Sequence, residues 1–338
     1  MGRYLLKRLG YVALMLVLLS LIIFFVYNLM PVDKAADMAM QEISANKNLI
    51  YAERYLFWKR RLGLDGGLLK RYLRWVGVAP YYDGSFQGLL QGNFGQSVTY
   101  GKPVVEVVKE PLKNTLFLNL FATAISLGIT IPLGIFCGAN KGSKRDLAVQ
   151  VGTIIGYSLP VFIVAILFIR FLSVDLNLFP VSGMNSVGKN YTGIRAFLDK
   201  LYHFALPIIV TAFCSLGGMT RYVRAAMVDA LSLDCVRTAR AKGLKKRLVV
   251  YSHAWRNALI PVIPLVIGWL VSVFSGSIMI ENIFGINGIG KVYFDALTSG
   301  DNEIVLIMQL FYILLALLGN LLVDVAYGVA DPRVRIQK

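Results

Sequence analysis

The sequence is poor in residues that bind metals or form disulfides. Its 338 residues include only three cysteines, Cys137, Cys214 and Cys235, and two histidines, His203 and His253. Three scattered cysteines are too few for a disulfide framework or a zinc site, and two separated histidines do not make a metal site. We therefore expect no bound metal, and we interpret the cysteines as small apolar side chains.

Charged residues are also scarce. They make up 16% of the chain, whereas about 25% is typical of a soluble domain. Hydrophobic residues make up 57%, and the mean hydropathy is +0.63, which indicates a polytopic membrane protein. A net charge of +16 would suggest nucleic acid as a partner for a soluble protein. In a membrane protein it indicates basic loops that face the anionic cytoplasmic leaflet of the lipid bilayer, so no nucleic-acid partner is expected.

The motifs of several enzyme classes are missing. No G-x-x-x-x-G-K-[ST] occurs, and the nearest stretch, Gly138 to Arg145, lacks the spacing. No nucleophile elbow, H-E-x-x-H or carboxylate dyad is found either. We expect no catalytic residue and no bound cofactor in this chain. If it performs ATP-driven work, ATP and magnesium must be bound by a separate protein.

Six apolar runs are long enough, or nearly so, to cross a bilayer, which needs about 20 residues. They predict an all-α protein with six transmembrane helices. The fourth run is short and can continue into Arg221 as one helix. The first run could instead be a cleaved signal peptide, but this interpretation is weaker because no A-x-A cleavage site follows it. The predicted spans are Gly10 to Met30, Thr115 to Ala139, Val149 to Leu172, Phe204 to Met219, Ala258 to Ile280 and Ile304 to Tyr327.

Lysines and arginines predict the orientation. With the N-terminus inside, the cytoplasmic segments carry 18 of them and the short outer loops carry 5, including Arg170 at the end of span three. This contrast predicts cytoplasmic N- and C-termini, because short basic loops stay inside. The long segment after span one does not count in that rule. The cell membrane (inner or plasma membrane) is the expected location.

The long outer segment, Pro31 to Asn114, predicts a helical extracytoplasmic insertion, because it is too long for a bare connection. Its stretch Tyr51 to Trp75 mixes aromatic and basic residues and is interrupted by glycines at positions 63, 66 and 67. An interfacial helix pair and a solvated subdomain are both consistent with this pattern. The predicted organisation is an N-terminal helix (1–30), the insertion (31–113), and a five-helix core (114–338) with a cytoplasmic loop at 221–257.

That cytoplasmic loop is the most informative part of the chain. Nine Lys/Arg lie between Arg221 and Arg256. The residues before Gly243 favour a short helix, capped by Ser232 or Asp234 and ended by the glycine. Small side chains, Ala239 and Ala241, alternate with cations and suit a surface that docks into a groove on a partner. Electrostatic binding to lipid headgroups is the alternative.

The loop resembles the EAA-x3-G loop of ATP-binding-cassette (ABC) importer permeases, and more closely the oligopeptide, dipeptide and nickel branch, B-type subunit. Asp234 to Leu244 reads DCVRTARAKGL, and His253 to Pro261 reads HAWRNALIP, as is typical of that branch. Further landmarks follow the same order over some 300 residues. They are Gly63-Leu64-Asp65, Gly92 to Ser97, Pro103-Val104, Asn114-Thr115, Glu281 to Phe284, Gly288 to Gly290, and Asp324, Tyr327 and Asp331-Pro332-Arg333, with Pro31 and Asp33 as remnants of another. Asn93 departs from the family pattern, which has Asp there.

The resemblance implies the type I importer permease fold and a set of partners. These are a homologous permease that shares the translocation path, two P-loop ATPase subunits, and an extracytoplasmic substrate-binding protein. It also implies ATPase contact through Asp234, Val236, Arg237, Thr238, Ala239, Arg240, Ala241, Lys242, Gly243 and Leu244. Nickel or another small solute as cargo, and a channel that works without an ATPase, are the alternatives.

Two polar residues in span six form a second candidate site. Asn320 and Asp324 lie four residues apart and share a helix face. Intramembrane carboxylates are costly and usually face a bundle interior or water, which suggests a pore contact or hinge. The alternative is that Asp324 lies at the inner interface and pairs with Arg221, Arg224 or the arginines of the tail.

Overall fold

The computed structural model describes residues 2–29 and 33–330. The described residues contain no strand, and one isolated bridge pairs Gln96 with Pro103. The predicted all-α fold is confirmed. The helices are α1 (Gly2–Asn28), α2 (Lys34–Ala45), α3 (Tyr51–Arg61), α4 (Leu68–Val76), α5 (Val104–Ala139), α6 (Lys144–Ser158), α7 (Val161–Phe168), α8 (Gly193–Ser232), α9 (Asp234–Ala241), α10 (Lys246–Leu248), α11 (Trp255–Ser272), α12 (Ile278–Ile283), α13 (Ile289–Ser299) and α14 (Asn302–Ala330).

Within these described ranges, five helical segments are long and apolar enough to cross a membrane, and a bent pair makes a sixth if it is counted as one span. The five contain α1, α5, α8, α11 and α14, and the pair is α6 with α7 and the π-helical turn that follows it. The structure therefore accounts for each of the six predicted apolar runs. The predicted end of span one at Met30 lies outside the described residues.

The third predicted span is broken. α6 and α7 meet at an angle of 100° across Leu159 and Pro160. Pro160 has no N–H to donate, and the residue before a proline is pushed out of the helical region. Leu159 accordingly adopts extended angles, φ −81° and ψ 133°. The single span predicted from Val149 to Leu172 is therefore two helices with a sharp bend.

Spans four and five also differ from the prediction. α8 continues without interruption through Arg221 to Ser232, which confirms the continuous helix allowed for above. Span five was predicted to reach Ile280, and this was wrong, because α11 ends at Ser272 and the short α12 starts only at Ile278. The backbone of Gly276 passes directly against Gly290 in this gap, so the chain turns there instead of continuing as helix.

Contacts divide the chain into two compact units, and we call the first the N-terminal unit. It consists of Gly2–Lys109 and Tyr293–Leu317. Asp33 is the N-cap of α2, and its carboxylate accepts hydrogen bonds from the N–H groups of Ala35 and Ala36. α2 packs beside α3. The predicted helix pair around the glycines near position 65 is present as α3 and α4. α4 packs on α1, where Ser20 and Tyr72 share a hydrogen bond of 2.8 Å.

The second unit, which we call the core unit, consists of Glu110–Val292 and the described residues from Leu318 onward. It has two clusters of buried apolar side chains. One joins α5, α8, α9 and α11, and includes Met227 and Val262. The other joins α5, α7, α8 and α12, and includes Phe204 and Phe284. The family landmarks Pro31 and Asp331-Pro332-Arg333 lie outside the described residues.

Candidate functional site

The short helix α9 follows α8 after a single residue. Leu233 is extended, with φ −65° and ψ 145°, and turns the chain into α9. The expected side-chain cap is wrong, because Leu233 occupies the cap position and offers no side-chain hydrogen bond. Ser232 instead donates its hydroxyl to the carbonyl of Asp229 at 2.7 Å. The start of α9 is therefore defined by the sharp turn at Leu233.

Two of the ten predicted coupling residues hold α9 onto the core unit. Val236 is 0% exposed and Ala239 is 4% exposed. Three residues apart on a helix, they share one face, and they enter the same buried cluster as Met227 of α8 and Ala258 of α11. Ala239 was expected to face a partner, but it packs inside this chain.

The other eight predicted coupling residues are exposed. Arg237, Arg240 and Lys242 form a basic surface. The side chains between these cations, Thr238 and Ala241, are small. Arg237 and Asp234 form an ion pair of 3.5 Å with both side chains largely in solvent, which contributes little to stability. α9 thus presents a small, basic face that this chain leaves uncovered.

Gly243 ends the helix, as predicted. Its φ of +73° lies in the left-handed region, and its N–H donates to the carbonyl of Arg240 at 2.9 Å. This is the usual role of glycine just after a helix C-terminus. No atom lies within 4 Å of the place where a Cβ would stand. The part of this chain that the structure describes does not crowd Gly243, and within it only the backbone conformation requires glycine at this position.

The second family motif, His253 to Pro261, has a role that the sequence did not indicate. It belongs to a π-helical turn, Val249–Ala254, and to the start of α11. Val249, Ala254 and Ala258 of this region are buried against the inner face of α9. The motif therefore forms the surface on which α9 rests. Asn257, in the first turn of α11, donates to the carbonyl of His253 at 2.7 Å.

The N-terminus of α6 is joined to α8 near this site. Arg224 donates two hydrogen bonds to Asp146, from Nε to Oδ1 at 2.7 Å and from its terminal nitrogen to Oδ2 at 2.8 Å. Asp146 also accepts from the N–H of Gly142 at 2.9 Å, and Ser143 caps α6. This pair connects the loop before α6 to the segment of α8 that leads into α9.

The polar pair on α14 is divided between two environments. Asn320 is exposed and Asp324 is half-buried, one turn apart in the core unit. Gly319 lies beside them and packs closely on Val271 of α11. Their predicted role as pore or hinge residues remains a prediction.

A buried carboxylate joins three of the family landmarks in the core unit. Glu281 is 0% exposed and accepts from the Thr115 hydroxyl at 2.8 Å and from the N–H of Lys291 at 2.8 Å. Burial raises the pKa of Glu281, while these donors favour its charged form. Thr115 in turn accepts from the N–H of Ile289 at 2.9 Å. The motifs around Thr115, Glu281 and Gly290 thus form one network that fixes the chain after α11.

The N-terminal unit contains a similar arrangement. The hydroxyl of Ser97 and the N–H of Thr99 both donate to Asp301, at 2.5 and 3.1 Å. Asp65 of the Gly-Leu-Asp landmark pairs with Arg74 at 2.6 Å. Burial alone would raise the pKa of Asp65, but the hydrogen bonds and charge of Arg74 lower it overall. These landmarks are structural links inside the unit.

Comparison with known proteins identifies the family. The chain belongs to the binding-protein-dependent transport system inner membrane components: the model of that family matches residues 130–336 and the model of its N-terminal region matches residues 1–119. The chain is 32% identical to the oligopeptide transport system permease protein AppB of Bacillus subtilis, over 99% of both chains. It is 31% identical to the dipeptide transport system permease protein DppB of Escherichia coli K12, over 100% of both.

A solved structure supports the fold. The MetNI methionine ABC transporter, in an inward-facing conformation, contains a chain that matches with a TM-score of 0.51 and 16% identity. The match covers 65% of this chain and 96% of that one. At this identity the likeness concerns the fold alone. The protein is a multi-pass membrane permease of the importer type, as the sequence predicted.

Proposed function

We propose that this chain is the transmembrane permease subunit of an ATP-driven importer of oligopeptides or dipeptides. A homologous permease would share the translocation path, and a substrate-binding protein would deliver the cargo on the outer side. The relatives named above are permeases of oligopeptide and dipeptide systems, and their alignment extends over essentially the whole chain. This full-length similarity is the main support for peptide cargo.

The exposed face of α9 is the observation that carries the coupling role. A short helix that projects a basic face, and that is itself fixed by Val236 and Ala239, suits a contact that must transmit force. Two P-loop ATPase subunits, with their ATP and magnesium, would dock there and on the equivalent helix of the partner permease. The residues at the contact are Asp234, Arg237, Thr238, Arg240, Ala241, Lys242, Gly243 and Leu244, with Val236 and Ala239 beneath them.

The packing of α9 against the core unit allows a movement of α9 to be transmitted to the other helices. Val236 and Ala239 share one buried cluster with α8 and α11, and Arg224 links α8 to α6. Packed clusters move as units more easily than they deform. Displacement of α9 by closing ATPase subunits would therefore shift α8 and α11 together, as alternating access requires.

The same proposal gives the orientation and a role for the polar pair on α14. Both termini and α9 would lie in the cytoplasm, since the basic loops are concentrated on that side. Asn320 and Asp324 would contact the path or act at a hinge between α14 and α11.

Replacement of Gly243 by aspartate tests the docking role. Asp tolerates left-handed backbone poorly compared with glycine, and it adds a negative charge to a basic face. Gly188→Asp is a matched control, because Gly188 also has a positive φ, +75°, with no atom within 4 Å of the Cβ position. Uptake of a labelled tripeptide should be lost in Gly243→Asp and kept in Gly188→Asp, with equal amounts in the membrane. Normal uptake by Gly243→Asp would exclude docking at this position. Nickel uptake without peptide uptake in the wild type would assign the other cargo.

A further inference from the structure

The N-terminal unit contains a partly open cavity of about 1080 Å³ that none of the roles above uses. It is bordered by the outer end of α1, by α2, α3 and α4, by the loops that follow α4, and by the first turn of α14. Ligand pockets for small molecules usually measure about 300 to 1,000 Å³. The cavity is therefore large enough for a ligand of several residues.

Two arginines of α4 line this cavity and differ in their bonding. Arg74 is fully engaged by Asp65 and by the carbonyls of Gly63 and Pro80. Arg71, one turn earlier on the same face, has a buried Nε that finds no hydrogen-bond partner among the described residues. Burial lowers the pKa of Arg71, although the charge of Asp33 opposes this. A buried N–H donor without a partner is costly unless an acceptor reaches it.

The other charges of the cavity are largely committed within the unit. Lys34 pairs with Glu303, and Asp33 accepts from Tyr55 at 2.9 Å. Lys59 lies over the Tyr55 ring, and the Arg61 guanidinium lies over the Trp58 ring at 5.6 Å. Arg71 is therefore the cation on the wall with an unused donor, and the wall also carries the carboxylate of Asp83, which accepts hydrogen bonds from the neighbouring Ser85. This arrangement favours a ligand that carries both an anionic and a cationic group.

The side-chain amides that line the cavity favour one kind of zwitterionic ligand, a peptide, over another, a phospholipid headgroup. Six of them line the cavity, and an amide both donates and accepts hydrogen bonds, as a peptide bond requires. Aromatic rings provide the apolar part of the wall. A phospholipid headgroup is also zwitterionic, but it offers no peptide bonds to such amides. The six are Asn28, Gln41, Gln87, Asn93, Gln96 and Asn302.

We propose that this cavity is a peptide-binding site of the permease itself, in which Arg71 binds the carboxylate of the peptide. The guanidinium fork matches a carboxylate with two parallel hydrogen bonds. Asp83 lies in the same wall, where its carboxylate attracts the ammonium end. The proposal rests on peptide import as the function of the chain, and it adds a binding site separate from the coupling surface of α9.

Binding of trialanine to the purified transporter, without its binding protein, tests this site. Trialanine and trialanine amide would be titrated by calorimetry, and the emission of Trp58 and Trp75, which line the cavity, would be recorded in parallel. We expect the amide to bind about tenfold more weakly, because one charge-assisted contact is lost. Arg71→Gln should weaken trialanine binding by about the same factor and remove the difference between acid and amide. Arg71→Lys should fall between, because it keeps the charge and loses the fork.

Arg60→Gln is the matched control, because Arg60 is exposed on α3 and does not border the cavity. It should bind both peptides like the wild type. Equal affinity of Arg71→Gln and the wild type for trialanine, or no binding by the wild type, would overturn the proposal. A phospholipid that stays bound to the wild type through purification, is lost in Arg71→Gln and blocks trialanine would assign the cavity to lipid instead.

Uptake in intact cells separates this proposal from the proposed function. If wild-type cells import trialanine but Arg71→Gln changes no affinity, only the cavity proposal fails. If wild-type cells with the complete transporter import no peptide, the proposed function fails.

Discussion

Arg224 of α8 binds Asp146 of α6 through two hydrogen bonds, 2.7 and 2.8 Å long, with the Asp146 side chain 1% exposed. The two residues are 78 positions apart, and the pair joins the loop before α6 to the helix that carries α9. A buried carboxylate that loses its partner keeps the full cost of desolvation. The pair therefore fixes the position of α8 close to the place where force is proposed to enter.

A double-mutant cycle tests the pair. Arg224→Ala and Asp146→Ala should each destabilise the protein by about 3 kcal/mol, reduced somewhat because Arg224 is 19% exposed. The double variant should lose less than the sum, with a coupling of about 1 to 3 kcal/mol. Thermal unfolding in detergent provides the readout, and exposed Arg256→Ala is the control. Additive losses would mean that the ion pair contributes no coupling.

Substitutions at two alanines of α9 separate the packing of this helix inside the chain from its proposed contact with an ATPase. Ala239→Leu adds volume to a packed cluster and should cost about 1 to 3 kcal/mol of stability. Ala241→Leu is exposed and should leave the unfolding temperature unchanged. If α9 docks on an ATPase, Ala241→Leu should still reduce peptide-stimulated ATP hydrolysis. Wild-type hydrolysis together with wild-type stability in Ala241→Leu would place Ala241 outside the contact.

The close approach of the backbone in the turn after α11 predicts that alanine is tolerated at one glycine of this region and not at another. A Cβ on Gly276 would stand 2.1 Å from the backbone nitrogen of Gly290, and no side-chain movement can relieve that clash. Gly276→Ala should therefore yield little folded protein in the membrane, measured by fluorescence size-exclusion chromatography. Gly268→Ala, inside α11 with nothing within 4 Å, should be at least as stable as the wild type. Similar yields of the two variants would contradict the close approach seen here.

The protein should lose more stability when the Glu281 side chain is truncated to alanine than when it is replaced by the isosteric glutamine. Glu281→Ala leaves the Thr115 hydroxyl and the Lys291 N–H buried without an acceptor, each at about 1 to 3 kcal/mol. Glu281→Gln keeps one oxygen for Thr115 and should lose about half as much. Unfolding temperatures of the two variants, compared with Thr115→Val, measure the difference. Equal losses for Ala and Gln would show that the hydrogen bonds contribute nothing measurable.

The sequence predicted the helices well, because each span is a long apolar run and length alone separates a span from a buried strand. It did not predict where they break. Pro132, Pro207 and Pro261 lie inside continuous helices, whereas Pro160 marks a bend of 100°. The residue type is the same, so the difference depends on how the surrounding helices pack around each proline. That packing is not visible in a local pattern.

The candidate site was only partly predictable. Helical spacing places Val236 and Ala239 on one face and could have shown that Ala239 is buried, but the alternation of small and basic residues suggested otherwise. The sequence suggested Asp324 as one possible partner of Arg224. Its actual partner, Asp146, could not be predicted, because no spacing rule connects two residues that are 78 positions apart. The network of Glu281 with Thr115 likewise joins landmarks that the sequence shows only in order.

The central claim is that this chain couples peptide transport to ATPase subunits through α9. Purification of the chain from its native membrane in mild detergent tests this most directly, with co-purifying proteins identified and ATP hydrolysis measured with a peptide-loaded binding protein. The account predicts a second permease, P-loop ATPases and peptide-stimulated hydrolysis in the wild type, and loss of the ATPases in Gly243→Asp. A chain that purifies alone and without ATPase activity, or ATPases that remain bound to Gly243→Asp with full stimulation, would contradict it.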